Sequence, residues 1–340
     1  MANSTDKSMI VRFVLDPDIY GAGPHELGMH RRILAQWRSF GVRAIGPTAP
    51  EISDLIRQLP QKIMMLYREH LKHNYLTSFR VTADIVGLET VETREQLRAY
   101  KNIAEVACVD ETRACVLGLA DDEISLTDPD MPEVVPLKSF DLAEAVVAAK
   151  TISQQSIEKG ERLSQIWNQR FETLAKYCRK VVVADRYGAS DLAENNRIAS
   201  QKRDWFLNQL DRCGSQVRVT LLVGDNKQKN SGQPIADKIC SQFSSHRGGV
   251  KSLEVFVSPD FLWQGYSEGA NGGSHGRFIR FDDRVLQIDT GLELFEHEKI
   301  QRNTQFTLVE LQRIHRNIQR VLSSKCREYE EVIGYAKWPS

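Results

Sequence analysis

Apolar positions along the chain fall into short β-branched runs separated by stretches of helical spacing. Residues 10–15 (Ile-Val-Arg-Phe-Val-Leu) form such a run and end at Asp16-Pro-Asp18, which predicts a buried strand running into a turn. Over 30–40 the residues Ile33, Leu34 and Trp37 recur at helical spacing, Gly41 stops the pattern, and 42–45 reads as a second strand. Pro50-Glu51 opens a helix with Ile52, Leu55, Ile56 and Leu59 on one face, ended by Pro60, and a further helix runs through Met64, Met65 and Leu71. The stretch 75–104 carries no clear period. Apolar residues resume over 104–119, and 123–127 predicts a strand that runs into Asp128-Pro-Asp130.

From Asp141 to about Cys178 the chain is Pro-free, with Leu163, Ile166, Trp167, Phe171 and Leu174 at helical spacing. This predicts a helical connector, and hence an N-terminal domain at 1–145, a connector at 146–178 and a C-terminal domain at 179–340. The second domain opens on the strand Lys180-Val-Val-Val183, which delivers Asp185-Arg-Tyr187. A helix with Ile198, Trp205, Phe206 and Leu210 follows, then a strand over 216–223, a helix over 235–243 and a strand over 252–257. After a Gly-rich loop come two short strands, 277–281 and 285–288, and a last helix over roughly 304–330 bearing Leu308, Leu311, Ile314, Ile318 and Leu322. Alternation of strand and helix predicts an α/β protein whose first domain is an open parallel sheet.

With 340 residues the chain is long enough for two domains, and 41% apolar with 26% charged residues is ordinary for a globular protein. No window reaches the roughly 18 to 20 uncharged apolar residues of a membrane span. The N-terminus Met-Ala-Asn-Ser-Thr-Asp has neither the basic start nor the apolar stretch of a secretory signal, so a cytoplasmic protein is expected. Six scattered cysteines without a C-x-x-C pair read as reduced thiols. The net charge is zero, yet residues 1–150 hold 17 basic against 22 acidic side chains and 151–340 hold 28 against 23. An acidic metal-binding half joined to a phosphate-facing half would produce this split.

Asp16, Glu51, Asp110 and Asp128 stand at the ends of predicted strands or the starts of helices. In an open parallel sheet such positions converge on a crevice at the carboxyl edge. Converging carboxylates repel one another unless a cation joins them, and hard oxygen ligands suit Mg2+ or Mn2+. The strand ending in Asp16, the step from Val42-Arg-Ala-Ile-Gly-Pro47 to Glu51, and Leu126-Thr127-Asp128 followed by Val134-Val135 resemble the scaffold of PIN-type ribonucleases over residues 9–145. That resemblance implies a metal-dependent nuclease in which Asp16, Glu51, Asp110 and Asp128 hold the metal and Thr127 positions a water. Asp130 and Glu111 are alternatives to Asp128 and Asp110, because Thr127 and Asp128 are adjacent where the family has an intervening residue.

In the C-terminal domain, His275-Gly-Arg277 is followed after four residues by Asp282, a spacing similar to the His-x-Lys-x4-Asp motif of phospholipase-D-like enzymes. With Asp185-x-Tyr187 upstream and Asp289-Thr-Gly-Leu-Glu-Leu-Phe295 downstream, residues 179–300 more closely resemble the phospholipase-D-like domain found at the C-terminus of MIT proteins. Members of that type look catalytically degenerate and serve in binding. The resemblance therefore implies phosphate or nucleic-acid binding by His275, Arg277, Arg280 and Asp282, with catalysis requiring a second half-site such as a homodimer would supply. Asp289 and Thr290 stand where that pattern has Gly and Arg. Together the two resemblances imply a nuclease tethered to a binding or regulatory domain, an arrangement suited to anti-phage defence. The alternative is a non-catalytic sensor that recognises a protein partner, nucleic acid or phosphate ligand.

Overall fold

The computed structural model describes residues 7–20, 26–47, 49–73, 75–82, 85, 87–120, 123–189, 197–213, 216–225, 232–259, 277–309 and 332–339. The chain divides into two compact units, Met1–Ile152 and Ser153–Ser340. Residues 163–177, expected in a spacer, belong to the core of the second unit: Trp167 and Phe171 are buried there against Phe206, Phe281, Phe295 and Phe306. An amphipathic helix with an aromatic face gains more by burying that face than by remaining a tether.

The first unit is built on five parallel strands: β1 (Val11–Leu15), β2 (Gly41–Ile45), β3 (Ser78–Arg80), β4 (Val106–Val109) and β5 (Glu133–Pro136), in the order β3-β2-β1-β4-β5. The inner strands are almost wholly buried, as a parallel sheet covered on both faces requires. Successive residues serve opposite faces. Phe13, Leu15, Val106, Cys108 and Val135 join the helices Leu27–Phe40 and Gln61–Lys72 in one core cluster, whereas Val14, Ala107, Val109 and Val134 face a second cluster with Leu97 and Leu117.

The apolar stretch 104–119 resolves into two elements, β4 and the helix Glu111–Val116, with Asp110 between them as the helix cap. The expected strand at 123–127 does not form. Leu126 makes only an isolated antiparallel bridge to Val134, so this segment runs against β5 instead of joining the parallel set.

The second unit carries a seven-stranded mixed sheet in the order β11-β10-β9-β6-β7-β8-β12. Its parallel centre is β6 (Lys180–Asp185), β7 (Val217–Gly224) and β8 (Val250–Ser258). On one side β9 (Phe278–Phe281), β10 (Arg284–Ile288) and β11 (Phe306–Val309) run antiparallel to their neighbours, and β12 (Gly334–Trp338) closes the other. Residues 306–309, expected to begin the last helix, are instead strand, because Phe306-Thr-Leu-Val309 pairs residue for residue with β10. The remainder of that expected helix lies outside the described residues. Asp211, near the end of the helix Arg197–Arg212, holds the turn before β8 by accepting hydrogen bonds from the His246, Arg247 and Val250 amides at 2.8, 2.7 and 3.0 Å. No helix among the described residues is long and apolar enough to cross a membrane.

Candidate metal centre

In the first unit the order of strands reverses between β1 and β4, which opens a crevice at their carboxyl ends. Asp16 directly follows β1, and its amide donates to the Cys108 carbonyl at 2.9 Å, so it continues the ladder into that crevice. Asp18 lies two residues on in the 3-10 turn Pro17–Tyr20 and donates its amide to Asp16 Oδ1 at 3.0 Å. Asp110 directly follows β4 and caps the helix Glu111–Val116, with Oδ1 accepting from the Arg113 amide at 2.7 Å. One carboxylate oxygen from each of Asp16, Asp18 and Asp110 lies within 4.8 Å of the other two.

Asp16 is fully buried. Burial pushes its carboxyl up to about 6; the Asp18 amide and Arg113 pull it down while the charges of Asp18 and Asp110 push further up. A buried carboxylate among like charges is costly to ionise, and a cation reverses that cost. Arg113 supplies part of the compensation: Nε lies 3.4 Å from Asp16 Oδ2 and Nη2 lies 3.2 Å from Asp18 Oδ2, while Nη1 donates to the Val91 carbonyl at 2.8 Å. These ion-pair distances exceed the roughly 2.7–2.9 Å of a close charge-assisted bond, because Val91 anchors the guanidinium from behind. Three carboxylates facing one guanidinium leave two negative charges, which matches one divalent cation. The donors are hard oxygens, so the residues fit Mg2+ or Mn2+. Arg113→Gln is expected to tighten Mn2+ binding at least about tenfold, measured by isothermal titration, because a competing positive charge is removed from the crevice; an unchanged affinity would show that Arg113 does not share the site.

The other acids named from the sequence lie elsewhere. Glu51 is exposed and pairs with Arg80, which also donates to the Gly46 and Pro47 carbonyls at 2.9 Å and so closes the 46–51 turn. Asp128 lines a cleft of about 440 Å3 together with Thr127, Val11, Glu105 and Glu133, residues at the amino ends of β1, β4 and β5. It therefore sits at the edge of the sheet opposite Asp16. The reason is direction: with 126 running antiparallel to β5, Asp128 precedes a parallel strand instead of following one. Its Oδ1 accepts from the Asp130 amide at 2.8 Å, an ordinary turn bond, and Asp130 pairs with Lys101 at 2.7 Å, which holds the Asp130 carboxyl below its usual range. Glu111 occupies the exposed first turn of its helix. The sequence reading missed the part played by Asp18 and all of Arg113. Asp18 was visible in Asp16-Pro-Asp18, and Arg113 stands three residues after the cap Asp110, where a helical turn brings it back over the strand ends.

In the second unit Arg277 and Asp282 of the His-x-Arg-x4-Asp sequence do not converge. Arg277 sits just before β9, with Nε 3.7 Å from Asp185 Oδ1, Nη1 2.9 Å from the Asp289 carbonyl and 3.6 Å from Glu293 Oε2, and its guanidinium over the Tyr187 ring at 4.9 Å. Asp282 lies in the β9–β10 turn at φ 50°, where its carboxylate accepts from the Arg179 and Lys180 amides at 3.0 Å. Since β9 is antiparallel to β6, Arg277 adjoins the end of β6 and Asp282 its beginning, about 17 Å apart at roughly 3.3 Å per residue. Arg280 donates to the Asp282 carbonyl. His275 lies outside the described residues.

Fold and site together define an α/β protein of two units, the first a fully parallel sheet with a carboxylate cluster at its switch point, buried at Asp16 and open to solvent at Asp18. No protein-family model matches the chain, and no curated protein matches it.

Proposed function

We propose that the first unit is a divalent-cation-dependent phosphodiesterase acting on nucleic acid and that the second unit binds or regulates. The observation that carries this reading is the grouping of Asp16, Asp18 and Asp110 at the β1/β4 switch point, with two negative charges uncompensated. Mg2+ or Mn2+ held there would activate a water and offset charge on a phosphodiester in its transition state. The chain's own contribution is positional. Asp16 is fixed by the β-ladder, Asp110 by its capping bond, and Asp18 by the 3-10 turn, so their oxygens are set in place before any ligand arrives. The capping bond to Asp110 Oδ1 fixes the orientation of that carboxylate.

Incubation of single-stranded RNA and DNA with the full chain and Mn2+ tests the reading. Cleavage of one or both that is abolished by EDTA and in Asp16→Asn and Asp110→Asn is the expected result; unchanged cleavage in Asp16→Asn overturns it. A second reading has one observation in its favour, the Arg113 contacts to both Asp16 and Asp18: an acid site already partly filled by a guanidinium suits a non-catalytic sensor. Under that reading Mn2+ does not raise the unfolding midpoint of the native chain.

A further inference from the structure

The helices Leu27–Phe40 and Gln61–Lys72 cover one face of the first unit's sheet and meet beneath their surface, where His30 Nδ1 lies 3.1 Å from Tyr67 Oη. Their inner positions are apolar or aromatic: Ile33, Leu34 and Trp37 from the first, Ile63 and Tyr67 from the second. The outward positions are cationic. Arg31, Arg32, Lys62, Arg68 and Lys72 are exposed, Arg38 is half-buried, and the two helices together hold a single acid, Glu69. The rest of residues 1–150 holds 11 basic against 21 acidic side chains, so the positive charge of an acidic half is concentrated on this face. Little in the protein answers it. Glu69 lies 2.9 Å from His73, Arg32 lies 4.0 Å from Asp141, and Glu26 precedes the first helix. Arg31, Lys62, Arg68 and Lys72 make no ion pair among the described residues. At one end the Arg38 guanidinium packs 3.8 Å from the centre of the Tyr75 ring and His73 stacks on that ring at 5.3 Å, which holds both side chains in place.

Like charges crowded on one face repel one another, and a polyanion relieves them. Both helices run back against the parallel strands they connect, so Arg31 and Lys62 lie toward the carboxyl edge of the sheet and Arg38 and Lys72 toward the opposite edge. Asp16, Asp18 and Asp110 stand at that carboxyl edge, and Tyr20, which ends the turn bearing Asp18, meets the Tyr67 ring edge-on at 5.7 Å. A row of phosphates laid along the helices therefore leads to the carboxylate cluster. Helices of 14 and 12 residues are about 20 Å long, room for about six nucleotides at about 3.4 Å each. An anionic membrane is the poorer match, because a helix lying on one buries its apolar face in lipid. Here both apolar faces are packed in the protein core, and Met65 is the exposed large apolar side chain of the pair. We propose that the face made by Leu27–Phe40 and Gln61–Lys72 binds the phosphodiester backbone of a nucleic-acid strand and leads it to Asp16, Asp18 and Asp110. The choice of nucleic acid as the polyanion rests on the phosphodiesterase reading.

Fluorescence anisotropy of the full chain with labelled single-stranded RNA and DNA oligonucleotides in EDTA, where binding is separated from cleavage, tests the proposal. Affinity is expected to fall as salt is raised. Combining Arg68→Gln with Lys72→Gln lowers affinity at least about tenfold at low salt and flattens the slope of log affinity against log salt by about 1.4, at about 0.7 per lost phosphate contact. Arg31→Gln flattens it by about half as much. Arg98→Gln, the same change of charge beside the core cluster on the other face of the sheet, leaves affinity and slope at wild-type values. Binding that follows this pattern without any cleavage in Mn2+ overturns the phosphodiesterase reading and supports the assignment of the face. Wild-type affinity in both the Arg31 and the Arg68/Lys72 variants, cleavage at wild-type strength in the latter, or binding to phosphatidylserine vesicles with none to either oligonucleotide overturns the proposal.

Discussion

In metal-free buffer at pH 7, Asp16→Asn unfolds at a higher temperature than the native chain, and the gain disappears as the pH is lowered to 4. The carboxyl of Asp16 is raised from 3.8 to about 6 by burial first, with the neighbouring charges of Asp18 and Asp110 adding to it. The folded protein therefore holds this proton more tightly than the unfolded chain does. Stability from this group is fully present below the unfolded value, is lost as the pH rises between about 4 and 6, and stays lost above. At about 1.4 kcal/mol per pH unit the penalty for the ionised group reaches about 3 kcal/mol at neutral pH. Asparagine keeps an oxygen to accept from the Asp18 amide and carries no charge, so it escapes the penalty. Differential scanning calorimetry of both proteins in EDTA at pH 4 and pH 7 checks this; a gain of equal size at both values rules out ionisation of Asp16 as the cause. With saturating Mn2+ the order reverses, since the native chain gains binding energy that the variant lacks.

Asp185→Ala is expected to cost about 3–5 kcal/mol, the range for removing one member of a buried ion pair. Asp185 is 2% exposed, and its two oxygens accept from the Tyr187 amide at 2.9 Å and the Leu292 amide at 2.7 Å while facing Arg277. Removal leaves two amides without an acceptor at once and takes the buried carboxylate from beside a guanidinium that keeps only the more exposed Glu293 at 3.6 Å. The neighbourhood has no slack, as a Cβ on Gly291, itself at φ +56°, would come within 2.4 Å of Asp185 Oδ2. Adding Arg277→Met to Asp185→Ala should recover part of the loss, because the under-compensated charge is then gone. Urea denaturation of the two single variants and the double variant measures the coupling. If the double variant loses the sum of the single costs, Arg277 is not held by Asp185, and its charge is available to a ligand after all.

Legibility from sequence followed the range of the forces involved. The runs 10–15, 42–45 and 180–183 are buried strands because β-branched apolar residues have no alternative that covers them on both sides, and periodicity alone reveals this. Likewise Asp16 and Asp110 could be placed at strand ends, since each follows an apolar run directly. Direction and partnership were not local. Asp128 looked equivalent to Asp16, each an Asp-Pro acid after an apolar run, and only the antiparallel bridge of Leu126 to Val134 sends it to the opposite edge. Phe306–Val309 fits a helical stripe by spacing and becomes a strand because β10 offers it a ladder.

The amino-acid sequence by itself determined an α/β chain with acids at the ends of its first parallel strands. The tertiary structure alone decided that Asp18 and Arg113 complete the cluster and that Arg277 is tied to Asp185. Composition and period report how much apolar surface must be buried, whereas a site depends on which strand ends meet, and that is set by pairings between residues about 100 positions apart.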